Sequence, residues 1–114
     1  MGKLSESILK QILAEHVHLD NSEIKFYDEL NDYAYEFAID NELFVVCDEN
    51  GADLILEEYR KATVAAAKQD IPEVYHGFFA FTQFAIYTWQ SLNDIYDSVT
   101  EVTFNNKNYF ICSV

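Results

Sequence analysis

The sequence predicts a single α+β domain spanning residues 1–114, with an antiparallel sheet of about five strands in two hairpins packed on two or three helices. Three observations predict it. Apolar residues recur at helical spacing in three segments, they alternate or run continuously in short segments between those, and Asp/Asn-rich breaks separate pairs of strand-like runs. Half of the 114 residues are hydrophobic, and 9 Phe, 8 Tyr and 1 Trp supply apolar area, so a core can form without disulfide or metal staples. The predicted element order is α-β-β-β-α-α-β-β.

Leu4, Ile8, Leu9, Ile12, Leu13, His16 and Val17 mark a first amphipathic helix over 4–17, with Ser5 or Lys3 near its start. After Asp20-Asn21-Ser22, the aromatic and β-branched run Ile24-Lys25-Phe26-Tyr27 reads as a strand. Tyr33, Tyr35, Phe37 and Ile39 then alternate with Ala34, Glu36 and Ala38, which is the period of a strand with one buried face. Asp40-Asn41 tolerates positive φ and joins this strand to Glu42–Cys47 in a tight hairpin. Phe44-Val45-Val46 lacks alternation, as a strand buried on both faces does.

Asn50 is the candidate N-cap of a second helix ending near Gln69, with Ile55, Tyr59, Ala62 and Ala66 as its buried stripe. Asp53, Glu57 and Glu58 precede Arg60, Lys61 and Lys68 along it, the order that the helix dipole favours. Asp70-Ile71-Pro72-Glu73 has the form of a capping box with Pro in the first turn. It opens a third helix, striped by Val74, Phe78, Phe81, Ala85, Trp89, Leu92 and Tyr96, widened by Phe79, Phe84 and Ile86, and expected to end near Asp97 or Ser98 as the central core helix. Val99–Phe104 and Tyr109–Val114 flank the Asn-rich segment 105–108 and read as a second hairpin.

Little in the sequence points to catalysis. Glu15-His16-Val17-His18-Leu19-Asp20 holds possible metal ligands, but residues two apart on a helix point about 200° from one another, so a helix C-terminus with His16 in its last turn is the better reading. His76 is expected to cap or line the edge of the core. Asp48-Glu49-Asn50-Gly51-Ala52-Asp53 lacks the alternating ligands and position-12 Glu of a calcium loop. No phosphate loop, nucleophile elbow or paired-Cys motif is present, which leaves an enzyme built on His16, His18 or His76 as a weak third reading with no cofactor implied. Cys47 and Cys112 sit in apolar runs and are expected to be buried, reduced thiols. The N-terminal segment lacks an apolar signal core, Glu6 occupies the position where a myristoylation motif wants Ser or Thr, and no apolar run is long enough to span a bilayer, so the cytoplasm is the expected compartment.

Charge is the informative feature. The net charge is −13, and between Asp20 and Glu58 thirteen acids stand against the single base Lys25, a net of −12. Such a field repels nucleic acid and anionic membranes, so neither is an expected direct partner, and it favours a basic protein partner. Solubility is the plain account of an acidic surface, yet clustering like charges costs fold stability through self-repulsion that solubility alone does not require. The candidate partner-binding residues are therefore Asp28, Glu29, Asp32, Glu36, Asp40, Glu42, Asp48, Glu49, Asp53 and Glu57, with Tyr27, Tyr33 or Tyr35 as anchors or as core.

In size, acidity and Tyr/Phe richness the chain resembles immunity proteins of toxin systems and phage-encoded inhibitors or DNA mimics, a likeness of composition with no shared motif. It implies inhibition of a basic partner, such as a nucleic-acid-binding enzyme, by electrostatic occlusion. The alternative is a homo-oligomeric interaction or assembly protein, a homodimer formed through an aromatic surface and open hairpin edges, whose acidity serves solubility.

Overall fold

The structure is a computed structural model describing residues 5–20, 23–78 and 80–114; for Phe26, Tyr27 and Phe78 the description covers the backbone. Its elements are α1 (Glu6–Val17), β1 (Lys25–Asn31), β2 (Ala34–Ile39), β3 (Glu42–Asp48), α2 (Glu49–Asp70), α3 (Phe81–Thr88), β4 (Ser98–Phe104) and β5 (Lys107–Ser113), with 3-10 turns at Glu73–Phe78 and Leu92–Asp94. This is the α+β order that the sequence predicts. The five strands form one antiparallel sheet in the order β1-β2-β3-β5-β4.

Both predicted hairpins close through two-residue turns. Asp40 and Asn41 have φ of 47° and 68°, and Asn105 and Asn106 have φ of 51° and 62°, the left-handed pair whose twist matches the flanking strands and which, glycine apart, Asn and Asp tolerate best. Lys107 is the first residue of β5, so the second turn is shorter than the predicted segment 105–108. β1 extends well past Tyr27, because two register shifts let it keep pairing with β2. One of these falls between Glu29 and Asn31 and leaves Leu30 as a bulge.

Strand alternation divides the core into two layers. On one face Tyr35, Phe37, Ile39, Val46, Val102, Tyr109 and Ile111 meet Leu9, Ile12 and Leu13 of α1, all three fully buried. On the other, Ala34, Val45, Cys47 and Cys112 meet Ala52, Ile55 and Leu56 of α2, together with Leu92. Of the unbroken run Phe44-Val45-Val46, Val45 and Val46 are buried on opposite faces as predicted, whereas Phe44 is half-buried. Ser5 caps α1 through its side chain, and His18 ends it in a left-handed conformation (φ 59°) with its N–H on the Ala14 carbonyl.

The start of α2 corrects the predicted cap. Asp48, not Asn50, is the N-cap: its Oδ1 accepts from the Gly51 N–H at 2.8 Å, and Asn50 lies inside the helix. Asp48 still pairs with Tyr109 as the last residue of β3, so strand passes into helix with no residue between. Asn31 fastens the β1–β2 turn to this junction, accepting from the Tyr33 N–H at 2.8 Å and donating to the Gly51 carbonyl at 3.3 Å. A Cβ on Gly51 would fall inside van der Waals contact of the Tyr33 carbonyl oxygen and 2.9 Å from Cys47 Cβ, so only glycine fits.

The third helix departs most from expectation. In place of one long core helix there are a 3-10 turn, the eight-residue α3 and a second 3-10 turn. The capping box is at Ser91, where the Asp94 side chain accepts from the Gln90 and Ser91 N–H groups, and not at Asp70. Gly77 and the run of β-branched and aromatic residues weaken helix continuity, and the local bonds of Asp94 compete with it. Phe81, Ala85 and Leu92 are buried, but Val74 is 73% exposed and Phe84 and Ile86 are also exposed. Phe79 lies outside the described residues.

α2 outruns the sheet. Its buried residues, Gly51, Ala52, Ile55 and Leu56, all lie in its first eight positions, while Tyr59, Ala62 and Ala66 of the predicted stripe are exposed. Its second half packs against α3 instead, forming an arm. The radius of gyration is 16.6 Å, against about 13 Å for a compact chain of this size.

Candidate binding cleft

Where α2 and its partners stop covering the sheet, a cleft of about 420 Å³ opens over β1, β2 and β3. Its apolar lining includes Leu30, Val45, Leu54, Ile55, Tyr59 and Tyr96, and Glu36, Glu58, Asn31 and Val114 complete it. The bulge at Leu30 places that residue in the lining, and Tyr96 joins it just after the capped turn Leu92–Asp94.

The electrostatics are one-sided. Glu36 points to the α2 face, as its pairing with Val45 requires, and sits opposite Asp28. Partial burial and then the Asp28 charge hold its carboxyl above the usual carboxylate range. Burial, the Cys112 thiol and the Tyr59 phenol push the Tyr96 phenol far above its ordinary value, so it is a neutral donor. Among the described residues no Lys or Arg forms an ion pair with Asp28, Glu36 or Glu58.

The ten predicted binding acids do not share one face. Asp28 and Glu36 face α2, whereas Glu29 and Glu42 pair with Tyr35 and Ile39 and so belong to the α1 side. Asp32 and Asp40 occupy turns at opposite ends of β2. Glu49, Asp53 and Glu57 form an exposed i,i+4 row on α2, with Glu57 bound to Lys61 at 3.3 Å. Asp48, by contrast with the expectation, is no surface residue: it is fully buried, with Oδ1 on the Gly51 N–H and Oδ2 facing Lys107 Nζ at 2.9 Å. Beyond that ammonium Oδ2 has no hydrogen-bond donor in good geometry. Of the three candidate anchors, Tyr35 is buried core, Tyr33 is half-buried at the α2 junction, and the Tyr27 side chain lies outside the described residues.

Glu58, Leu30, Leu54 and Tyr96 were not singled out as site residues. The signal available for Glu58 was its i,i+4 spacing from Leu54; nothing local foretold Leu30 or Tyr96.

The remaining reactive groups are accounted for structurally. His76 Nε2 lies 2.8 Å from the Ile71 carbonyl and 3.1 Å from that of Lys68, capping the end of α2. Cys47 and Cys112 are free and fully buried side by side; the hydrogen bond that the Cys47 thiol donates to Cys112, with burial, drives the Cys47 thiol far above its usual range. Among the described residues no three His, Cys, Asp or Glu converge on a metal site, and no helix is long and apolar enough to cross a membrane.

The arm carries a different surface. Arg60 donates twice to the Trp89 carbonyl, Trp89 donates to Thr63 Oγ1, and the Tyr59 and Trp89 rings meet edge to face at 5.2 Å. Beyond this clasp Val74, Tyr75, Phe84, Ile86 and Tyr87 are exposed, and a groove between α2 and α3 is lined by Arg60, Lys61 and Lys68. Compared with family models, with curated proteins and with solved structures, the chain matches none.

Proposed function

We propose that this chain is a small binding protein that occludes a basic protein partner by electrostatic complementarity, without chemistry of its own. The observation that supports it best is the arrangement of carboxylates on the α2 side of the molecule. Asp28 and Glu36 on the sheet, Glu58 at the cleft, and Glu49, Asp53 and Glu57 on the next rows of α2 together have, among the described residues, a single ion-paired cation, Lys61 on Glu57. Such carboxylates repel one another in the free protein, a cost that a cationic partner reverses. A nucleic-acid-binding enzyme is one class of partner whose surface carries the required charge.

The test is capture of basic proteins from the native host at low and high salt, followed by the triple reversal Glu49→Lys, Asp53→Lys and Glu57→Lys. Capture should collapse in high salt, since exposed pairs are screened over about 8 to 10 Å at physiological ionic strength, and should fail in the reversed chain. Retained capture by the reversed chain would sink the proposal.

A second reading, assembly of like chains, is favoured by the arm, where Val74, Tyr75, Phe84 and Tyr87 expose more than half of their surface. It expects self-association that salt does not weaken. A monodisperse monomer by sedimentation at both salt levels removes it.

A further inference from the structure

Resting on the occlusion reading, we infer that the cleft between β1–β3 and α2 is a socket for one arginine side chain projecting from the basic partner. Three features of the cleft lead there. Its volume, about 420 Å³, suits a single side chain or small ligand. Its walls are mostly apolar, and Leu30, Leu54 and Ile55 can cover an aliphatic stem as they would in a protein core. At the same time Glu36 of the sheet and Glu58 of α2 both line it, with Asp28 paired beside Glu36, so that the acidic residues bordering the space come from two elements.

The chemistry discriminates among cations. A guanidinium is planar, weakly hydrated and presents five N–H donors in a fork, which allows it to satisfy two carboxylates at once and to lie against aromatic faces. Tyr59 and Tyr96 are the aromatic residues of the lining. An ammonium is a compact, strongly hydrated charge that loses more on entering a cleft with apolar walls. An anion would meet Glu36, Glu58 and Asp28 with no ion-paired cation among the described residues to offset them.

Unlike the row Glu49-Asp53-Glu57, which attracts any positive surface, the cleft selects a shape. Partner recognition thus divides into a general attraction by the helix row and a single anchoring residue in the cleft, the division between steering charges and a central hot spot common at protein interfaces.

The experiment uses the full chain and three small probes: n-butylguanidinium, n-butylammonium and the neutral n-butylurea. Amide and methyl shifts are followed by NMR at constant ionic strength. Butylguanidinium should give saturable shifts confined to Leu30, Glu36, Val45, Leu54 and Tyr96, with butylammonium weaker and butylurea silent. The Glu36→Gln, Glu58→Gln double variant, whose fold is checked in the same spectra, should weaken butylguanidinium by about tenfold or more, the scale of one charge-assisted hydrogen bond. Equal binding of butylurea, tighter binding of butylammonium, shifts centred on Glu49, Asp53 and Glu57, or no saturable shift would each overturn the socket. The occlusion reading stands or falls apart from this, on whether the native chain captures a basic protein at low salt and the helix-row reversal abolishes it.

Discussion

The two halves of α2 are one continuous helix under opposite physical regimes. From Glu49 to Leu56 the helix is a core element: four of eight residues are buried, its first turn is capped by Asp48, and Gly51 is pressed against the Tyr33 carbonyl. From Lys61 to Asp70 no residue is buried, and the contacts are those of a two-helix arm clasped by Trp89, Arg60, Thr63 and His76. Charge divides along the same line, with Glu49, Asp53, Glu57 and Glu58 before Arg60, Lys61 and Lys68, and Asp70 the one acid beyond them. Helical periodicity thus reports a face, whereas burial depends on whether a sheet lies beneath that face.

Substitutions can break this contrast at either end. The largest effect is expected of Gly51→Ala, which forces a methyl group into the Tyr33 carbonyl and Cys47 and should cost about 3 kcal/mol of global stability in chemical denaturation. A loss below about 1 kcal/mol would show that the junction yields, and that the first half of α2 is not the rigid region. Next comes Lys107→Met, which strands the buried Asp48 carboxylate and should cost about 2 kcal/mol at neutral pH. The Asp48 contact raises the Lys107 pKa, so its stabilisation is whole below the ordinary lysine value of 10.5 and fades as pH climbs through the raised folded value. The deficit of the variant should therefore shrink in strong alkali, and a deficit independent of pH would remove the ion pair from the account.

On the arm, Trp89→Ala should lower global stability by less than about 1 kcal/mol while hydrogen-exchange protection in α3 and the second half of α2 collapses. Loss of protection spreading into β2 and β3 would show that the arm and sheet are one cooperative unit. The smallest effect is expected of Glu36→Gln. Because the folded-state pKa of Glu36 is raised, its ionised form weakens the fold, fully so above the raised value and not at all well below the ordinary 4.5. The variant should melt slightly higher than the parent at pH 7 and equally with it in strong acid. A lower melting point at pH 7 would reverse the sign assigned to Glu36.

What the sequence revealed follows the range of the interactions involved. Both hairpins were legible because Asp40-Asn41 and Asn105-Asn106 act locally, and β2 was legible because Tyr35, Phe37 and Ile39 share a face by alternation alone. The cap of α2 was misread because Asp48 serves two elements at once, closing the β3 ladder and opening the helix. The segment after Pro72 kept a helical period through residues that turn toward solvent, and only the competing bonds of Asp94 and the tertiary placement of α3 show where it breaks. The charge pattern marks Glu36 and Glu57 among ten candidate acids without sorting them by face, whereas alternation along β1 and β2 sends neighbours such as Asp28 and Glu29 to opposite sides. The cleft itself was invisible, since Leu30 owes its place to a register shift and Tyr96 to a chain reversal far along the sequence.

The passage from β3 into α2 without an intervening residue sets a rotational phase. The strand register decides which way Asp48 points, and Asp48 decides where the helix begins its first turn. One residue inserted after Asp48 would turn every later α2 side chain by about 100° relative to the sheet. Glu58 would swing away from the cleft, and the apolar rows at Ile55 and Leu56 would leave the core with it. The acidic surface and the hydrophobic layer are in that sense geared together, so that drift in one without the other is blocked at a single backbone joint.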